Sequence, residues 1–99
     1  MQNNLQHHVE NHKRSLVYFY TPMCGTCALA ETYLDIAAEM DSVPPVLKVD
    51  INFSPQTAEK WKIESVPCLV LIDNNRLEKK MYAFENVLKI YNFARGERV

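Results

Sequence analysis

The chain has 99 residues, 47% hydrophobic and 23% charged, which suits a single domain over residues 1–99 and excludes a disordered or collagen-like chain. Eleven Lys and Arg against twelve Asp and Glu leave a net charge of −1, so no overall field draws the chain to nucleic acid or an anionic membrane. No apolar run approaches the roughly 20 residues that cross a bilayer, and the opening MQNNLQHHVENHKRS lacks the apolar centre of a signal peptide, so a cytoplasmic location is expected.

Asn4 to His12 reads as a short polar helix whose apolar stripe, Leu5 and Val9 at i, i+4, is thin. Leu16 to Tyr20 is an unbroken apolar, β-branched and aromatic run, which suits a central strand covered on both faces. Thr21-Pro22-Met23 breaks it and leads into a long helix from about Cys24. There Leu29, Tyr33, Ile36 and Met40 recur at i, i+4, i+7, i+11 and predict one buried stripe. Glu31, Asp35 and Glu39 share a separate face and read as solvated. After Pro44-Pro45, Val46 to Ile51 reads as a second strand, and this strand, helix, strand order implies a right-handed parallel crossover. Ser54-Pro55 has the form of a helix start, with Ser as N-cap and Pro at the first helical position, for a short helix reaching about Trp61. Cys68 to Ile72 is a third strand. Asp73-Asn74-Asn75 tolerates positive φ, so the chain reverses into a fourth strand, about Arg76 to Tyr82, as an antiparallel hairpin. Val87, Ile90 and Tyr91 stand at helical spacing in a closing helix, Glu85 to Phe93. The expected class is α/β: a mixed four-stranded sheet covered by helices on both faces, with a short N-terminal helix.

Three cysteines are an odd number, which argues against a disulfide scaffold. Cys24 and Cys27 form a Cys-x-x-Cys pair at the start of the long helix. Unpaired backbone N–H groups and the positive end of the helix dipole favour a thiolate there, and only the thiolate attacks a disulfide. Cys27 follows one turn later, within reach of the Cys24 sulfur, so it can resolve a mixed disulfide. Gly25 and Thr26 are small and let a partner chain approach. The pair read instead as half of a zinc site needs two further thiolate or imidazole ligands. Cys68 lies far along the chain in an apolar strand, where it reads as a buried small residue; His7, His8 and His12 sit in a polar N-terminal segment, where His8 and His12, spaced i, i+4, read as surface histidines. No metal and no cofactor are expected.

From about Leu16 to Ala83 the chain resembles the thioredoxin family. The resemblance rests on the apolar strand running into Cys24-Gly25-Thr26-Cys27, the strand Lys48-Val49-Asp50-Ile51, and the segment from Ser54-Pro55 through Trp61 to Val66-Pro67. It implies a thioredoxin-like fold and thiol–disulfide exchange with Cys24 as nucleophile and Cys27 as resolving residue. It also implies a cis bond at Pro67 with Val66 beside the sulfur. A cis X-Pro bond bends the backbone and proline has no N–H, so Val66 offers its own backbone groups to an extended peptide, like an added strand edge. Met23, Gly25, Thr26, Val66 and Pro67 are therefore expected to contact substrate. The implied partners are protein disulfides and a thioredoxin-reductase-type electron donor. A different class of reading is a non-catalytic binding module of the same fold, or a metal-binding protein, that uses the Cys24/Cys27 pair without turnover.

Departures from the family pattern shape the expected chemistry. Met23 and Thr26 stand where thioredoxins have Trp before the first cysteine and Pro between the two. The family's buried Asp, which assists proton transfer at the second cysteine, falls on Tyr18, while its companion Lys is kept as Lys48. A buried phenol is neutral near pH 7, so Tyr18 does not take over that role. A Gly that borders the groove falls on Ala83, and the strand that precedes the N-terminal helix is missing. Thr26 for Pro frees a backbone N–H toward the Cys24 thiolate, and Tyr18 for Asp removes a negative charge; both stabilise the reduced form. The expected potential therefore lies above the roughly −270 mV characteristic of thioredoxin. Glutaredoxins share the Val-Pro element but carry a Gly-rich acidic segment after the hairpin; Lys80 to Glu85 lacks it, so no tight glutathione site is expected.

Overall fold

In the computed structural model, which describes residues 3–96, the run Arg14–Tyr20 forms β1 at an interior position of a four-stranded sheet. β2 (Val46–Asp50) pairs with it in parallel, Leu16 opposite Val46 through Tyr20 opposite Asp50. On its other side β3 (Cys68–Asp73) runs antiparallel, and β4 (Arg76–Met81) pairs antiparallel with β3, giving the order β2-β1-β3-β4. The two unbroken apolar runs thus occupy the two interior strands, whose central residues are fully buried, whereas the charged Arg76–Met81 alternates in exposure at an edge. Asn74 and Asn75, at φ 53° and 65°, make the two-residue reversal between β3 and β4 in the left-handed region that asparagine tolerates.

Helices cover both faces because successive strand residues point to opposite sides. Leu16, Tyr18, Leu69 and Leu71 meet Leu34 and Ala37 of α2 (Gly25–Ala38) and Ile90 and Phe93 of α4 (Val87–Ala94). On the other face Val17, Phe19, Cys68, Val70 and Ile72 meet Leu5 and Val9 of α1 (Asn3–Glu10), with Trp61 and Ile63 packed against them after α3 (Pro55–Lys60). No strand precedes α1 among the described residues. α1 stops short of His12, and α4 starts at Val87 rather than Glu85 because Asn86 caps it, its Oδ1 accepting from the Lys89 N–H at 2.8 Å. Ser54 holds the N-cap position of α3 without a side-chain cap bond, Pro55 supplying the preset φ of the first turn, and the residues from Ile51 to Phe53 form a short 3₁₀ turn instead of extending β2.

Two sequence expectations are corrected. In α2 the buried residues are Cys27, Ala30, Leu34 and Ala37, while Leu29, Ile36 and Met40 are 57%, 52% and 40% exposed and Tyr33 is half-buried. The helix is apolar around most of its girth, and the face set against the sheet carries mostly small side chains, which permit close approach; size-weighted periodicity points to the wrong face. His8 and His12 are half-buried rather than on the surface: α1 lies against the sheet, the His8 Nε2–H donates to the Leu16 carbonyl at 3.0 Å, and the His12 Nδ1–H donates to the His8 carbonyl at 2.8 Å. Burial lowers the His8 pKa below its ordinary value.

The two faces of α2 are separable by mutation. Leu34→Ala is expected to lower unfolding stability in urea by about 2–5 kcal/mol, and Ile36→Ala to change it by no more than about 0.5 kcal/mol. Equal losses would restore the stripe of large side chains to the core.

Candidate active site

Where β1 ends, a tight turn brings the chain round, the Cys24 N–H donating to the Thr21 carbonyl at 3.2 Å. Cys24 is the N-cap of α2, with extended backbone at φ −91° and ψ 108°, and the Cys27 N–H donates to its carbonyl at 3.2 Å. One helical turn so stacks Cys27 beneath Cys24, and the two sulfurs are joined as a disulfide. Cys27 is 4% exposed and Cys24 half-buried, so the pair presents one accessible sulfur and one sheltered sulfur.

The Thr26 hydroxyl donates to the Cys24 Sγ at 3.4 Å. In the disulfide form the Thr26 side chain thus places a donor at this sulfur, beside the backbone N–H that the sequence reading considers for the thiolate. The Val66–Pro67 bond is cis, and the Val66 carbonyl oxygen lies 3.8 Å from the Cys24 Sγ. A Cβ on Gly25 would meet nothing within 4 Å, so internal packing does not require a glycine there. Met23 is 94% exposed next to the disulfide. An open groove of about 340 Å³ runs alongside; of the expected contact residues Thr26 and Pro67 line it, together with Leu29, Tyr33, Ala83 and Phe84. Leu29, Tyr33 and Phe84 escape sequence reading, the first two because the same periodicity assigns them to the core.

Beneath the pair, Tyr18 is fully buried and its hydroxyl donates to the Cys27 carbonyl at 2.8 Å. Burial, reinforced by Glu31, pushes its pKa up to about 12, with Lys48 opposing the shift. It is a fixed donor at neutral pH and not a proton acceptor. Glu31 and Asp35, expected to be merely solvated, both ion-pair with Lys48 at 2.8 Å, because the parallel register sets Lys48 beside Tyr18 under the flank of α2. Burial works against the Lys48 charge, but the bonds to Asp35 and Glu31 outweigh it and raise its pKa. Burial pushes the Cys68 thiol up to about 11, so the third cysteine stays protonated and unreactive at neutral pH. Among the described residues no three His, Cys, Asp or Glu side chains gather into a set able to hold a metal ion, and no helix is long and apolar enough to cross a membrane.

Comparison with known proteins places this geometry. The family model for thioredoxin matches residues 1–95. The thioredoxin-like protein YusE of Bacillus subtilis is 38% identical over 90 residues, covering 88% of this chain and 85% of its own. A thioredoxin of Chlamydia trachomatis is 37% identical over 68 residues, 67% of this chain and 66% of that one. A mutant thioredoxin from Halobacterium salinarum shares the fold, with a TM-score of 0.85 at 21% identity over 100% of this chain and 88% of the other.

Two measurements check the electrostatics. Thr26→Val removes the hydroxyl donor; in the reduced protein it is expected to raise the Cys24 thiol pKa by about one unit, read from the pH dependence of alkylation, and to lower the reduction potential. An unchanged pKa would leave the helix terminus as the sole stabiliser. Tyr18 has a folded pKa of about 12 against an ordinary value of 10, so its contribution is complete below pH 10 and is lost as pH rises toward 12. Tyr18→Phe should remove about 2–3 kcal/mol of that alkaline loss from urea unfolding curves. Cys68 adds a loss of the same sign in both proteins, so the difference between them isolates Tyr18.

Proposed function

The chain belongs to the thioredoxin family and is a thiol–disulfide oxidoreductase; from that premise we propose that Cys24 attacks protein disulfides and Cys27 resolves the mixed disulfide. The observation that supports this division is the half-buried Cys24 at the N-cap of α2 with Cys27 buried one turn below and bonded to it. The Cys24 thiolate attacks one sulfur of the substrate disulfide, whose other sulfur leaves as a thiolate and takes up a proton. Cys27 then loses its proton and attacks the Cys24 Sγ, expelling the second substrate sulfur and leaving the Cys24–Cys27 disulfide. Two electrons pass to the substrate, and a thioredoxin-reductase-type donor restores the dithiol. Met23, Gly25, Thr26, Val66 and Pro67 contact the incoming chain in this reading, with the Val66 backbone pairing to it as a strand edge. The working compartment is the cytoplasm, where thiols are kept reduced.

Insulin reduction with dithiothreitol as terminal reductant tests the proposal and separates it from a non-catalytic or metal-holding pair. The wild-type protein should turn over, Cys24→Ser should fall to the uncatalysed background, and Cys27→Ser, reduced beforehand and freed of dithiothreitol, should accumulate a mixed disulfide with an insulin chain. A wild-type rate at background would overturn it.

A further inference from the structure

Six large apolar side chains are strongly exposed among the described residues, and four of them, Met23, Leu29, Ile36 and Met40, lie in one stretch of chain beginning beside the disulfide. On α2 and its C-terminal continuation, Leu29, Tyr33, Ile36 and Met40 fall within a narrow sector of the helix, an apolar stripe about 16 Å long at the α-helical rise. Scattered exposed apolar residues need no explanation, but a contiguous rigid stripe marks a contact surface. This stripe is continuous with the active-site groove, since Leu29 and Tyr33 line both, and Thr26, which bonds the Cys24 sulfur, stands at its upper end. The flank of α2 toward β2 is different in kind: it carries Glu31 and Asp35, held by Lys48. A partner seated at the sulfur therefore meets an apolar track only on the groove side.

We propose that the Leu29–Tyr33–Ile36–Met40 face of α2 is a docking track for protein substrates that carry an apolar amphipathic segment next to their disulfide, and that it selects them over small disulfides. The inference rests on Cys24 being the attacking sulfur, because the track gains its meaning from starting there. A second copy of this chain is a poorer occupant: covering the track would also cover the groove and shut the site. The segment that fits is about three helical turns long or an equivalent extended stretch, with apolar residues along one edge.

The test uses two synthetic disulfide peptides with the same disulfide ring, one followed by an eleven-residue (~11) amphipathic segment with leucines on one face, the other with serines in their place. A small aromatic disulfide, dithiobis(nitrobenzoate), serves as the control substrate. Ile36→Ser/Met40→Ser alters exposed positions beyond the groove. The wild-type protein, reduced beforehand with dithiothreitol that is then removed and followed over a single turnover, is expected to reduce the leucine peptide with a kcat/KM about tenfold above the serine peptide, mainly through KM, corresponding to roughly 1.4 kcal/mol of added binding. The double variant should lose that preference and keep the wild-type rate on the aromatic disulfide. Equal kcat/KM values for the two peptides, or a preference that survives the double substitution, would overturn the docking track. A concentration-dependent dimer that disappears in the double variant would overturn it in favour of self-association. Failure of the wild-type protein to reduce even the aromatic disulfide would instead strike the exchange reaction itself, so the two failures are distinguishable.

Discussion

The hydrogen bond from the Tyr18 hydroxyl to the Cys27 carbonyl, 2.8 Å long and fully buried, ties the first turn of α2 to the sheet interior. Tyr18 stands on β1, which pairs with β2 on one side and β3 on the other, so its position is set by both neighbours. Its ring packs against Tyr20 and edge-on to Phe84, so rotating it would disturb both the strand end and the loop that borders the groove. Together with the packing of Ala30, Leu34 and Ala37 on the sheet, that contact gives the Cys-x-x-Cys turn the rigidity of the sheet. The buried sulfur is held below the half-buried one, which is the geometry an attack by Cys27 on Cys24 needs.

The accessible sulfur sits at the N-terminal, positive end of the α2 dipole. The N-terminal turn of α2 contributes its unpaired N–H groups and the Thr26 hydroxyl adds a donor at 3.4 Å. The two carboxylates nearest the pair along α2, Glu31 and Asp35, are drawn sideways to the single charge of Lys48, which offsets half of theirs. Tyr18 keeps its proton, since burial pushes its pKa to about 12. Tyr18 therefore offers Cys27 no buried carboxylate as proton acceptor.

Sequence reading carries the sheet well and the helix faces less well, for physical reasons. The runs Leu16–Tyr20 and Cys68–Ile72 are apolar throughout, a pattern that only doubly covered strands need, and they are the interior strands. Asn74-Asn75 marks its reversal because few residues other than asparagine and glycine accept positive φ twice in succession. In α2, by contrast, large and small apolar residues occupy neighbouring sectors, and periodicity cannot say which sector meets the sheet. The choice of Ala30, Leu34 and Ala37 over Leu29, Ile36 and Met40 depends on how closely the helix approaches, which is tertiary information. The Glu31–Lys48–Asp35 bridge is invisible for the same reason: it joins residues far apart in the chain through the parallel register of β1 and β2. At the site, the cysteine pair and Val66–Pro67 are legible as motifs, whereas Leu29, Tyr33 and Phe84 enter the groove only through folding.

The central claim is that position on α2 makes Cys24, and neither other cysteine, the attacking sulfur. Timed alkylation of the fully reduced protein with iodoacetamide at pH 7, read by peptide mass spectrometry, tests it directly. The account predicts that Cys24 is modified at least about tenfold faster than Cys27 and that Cys68 stays unmodified until the chain unfolds. Equal rates at Cys24 and Cys27, or faster reaction at Cys27, would contradict it.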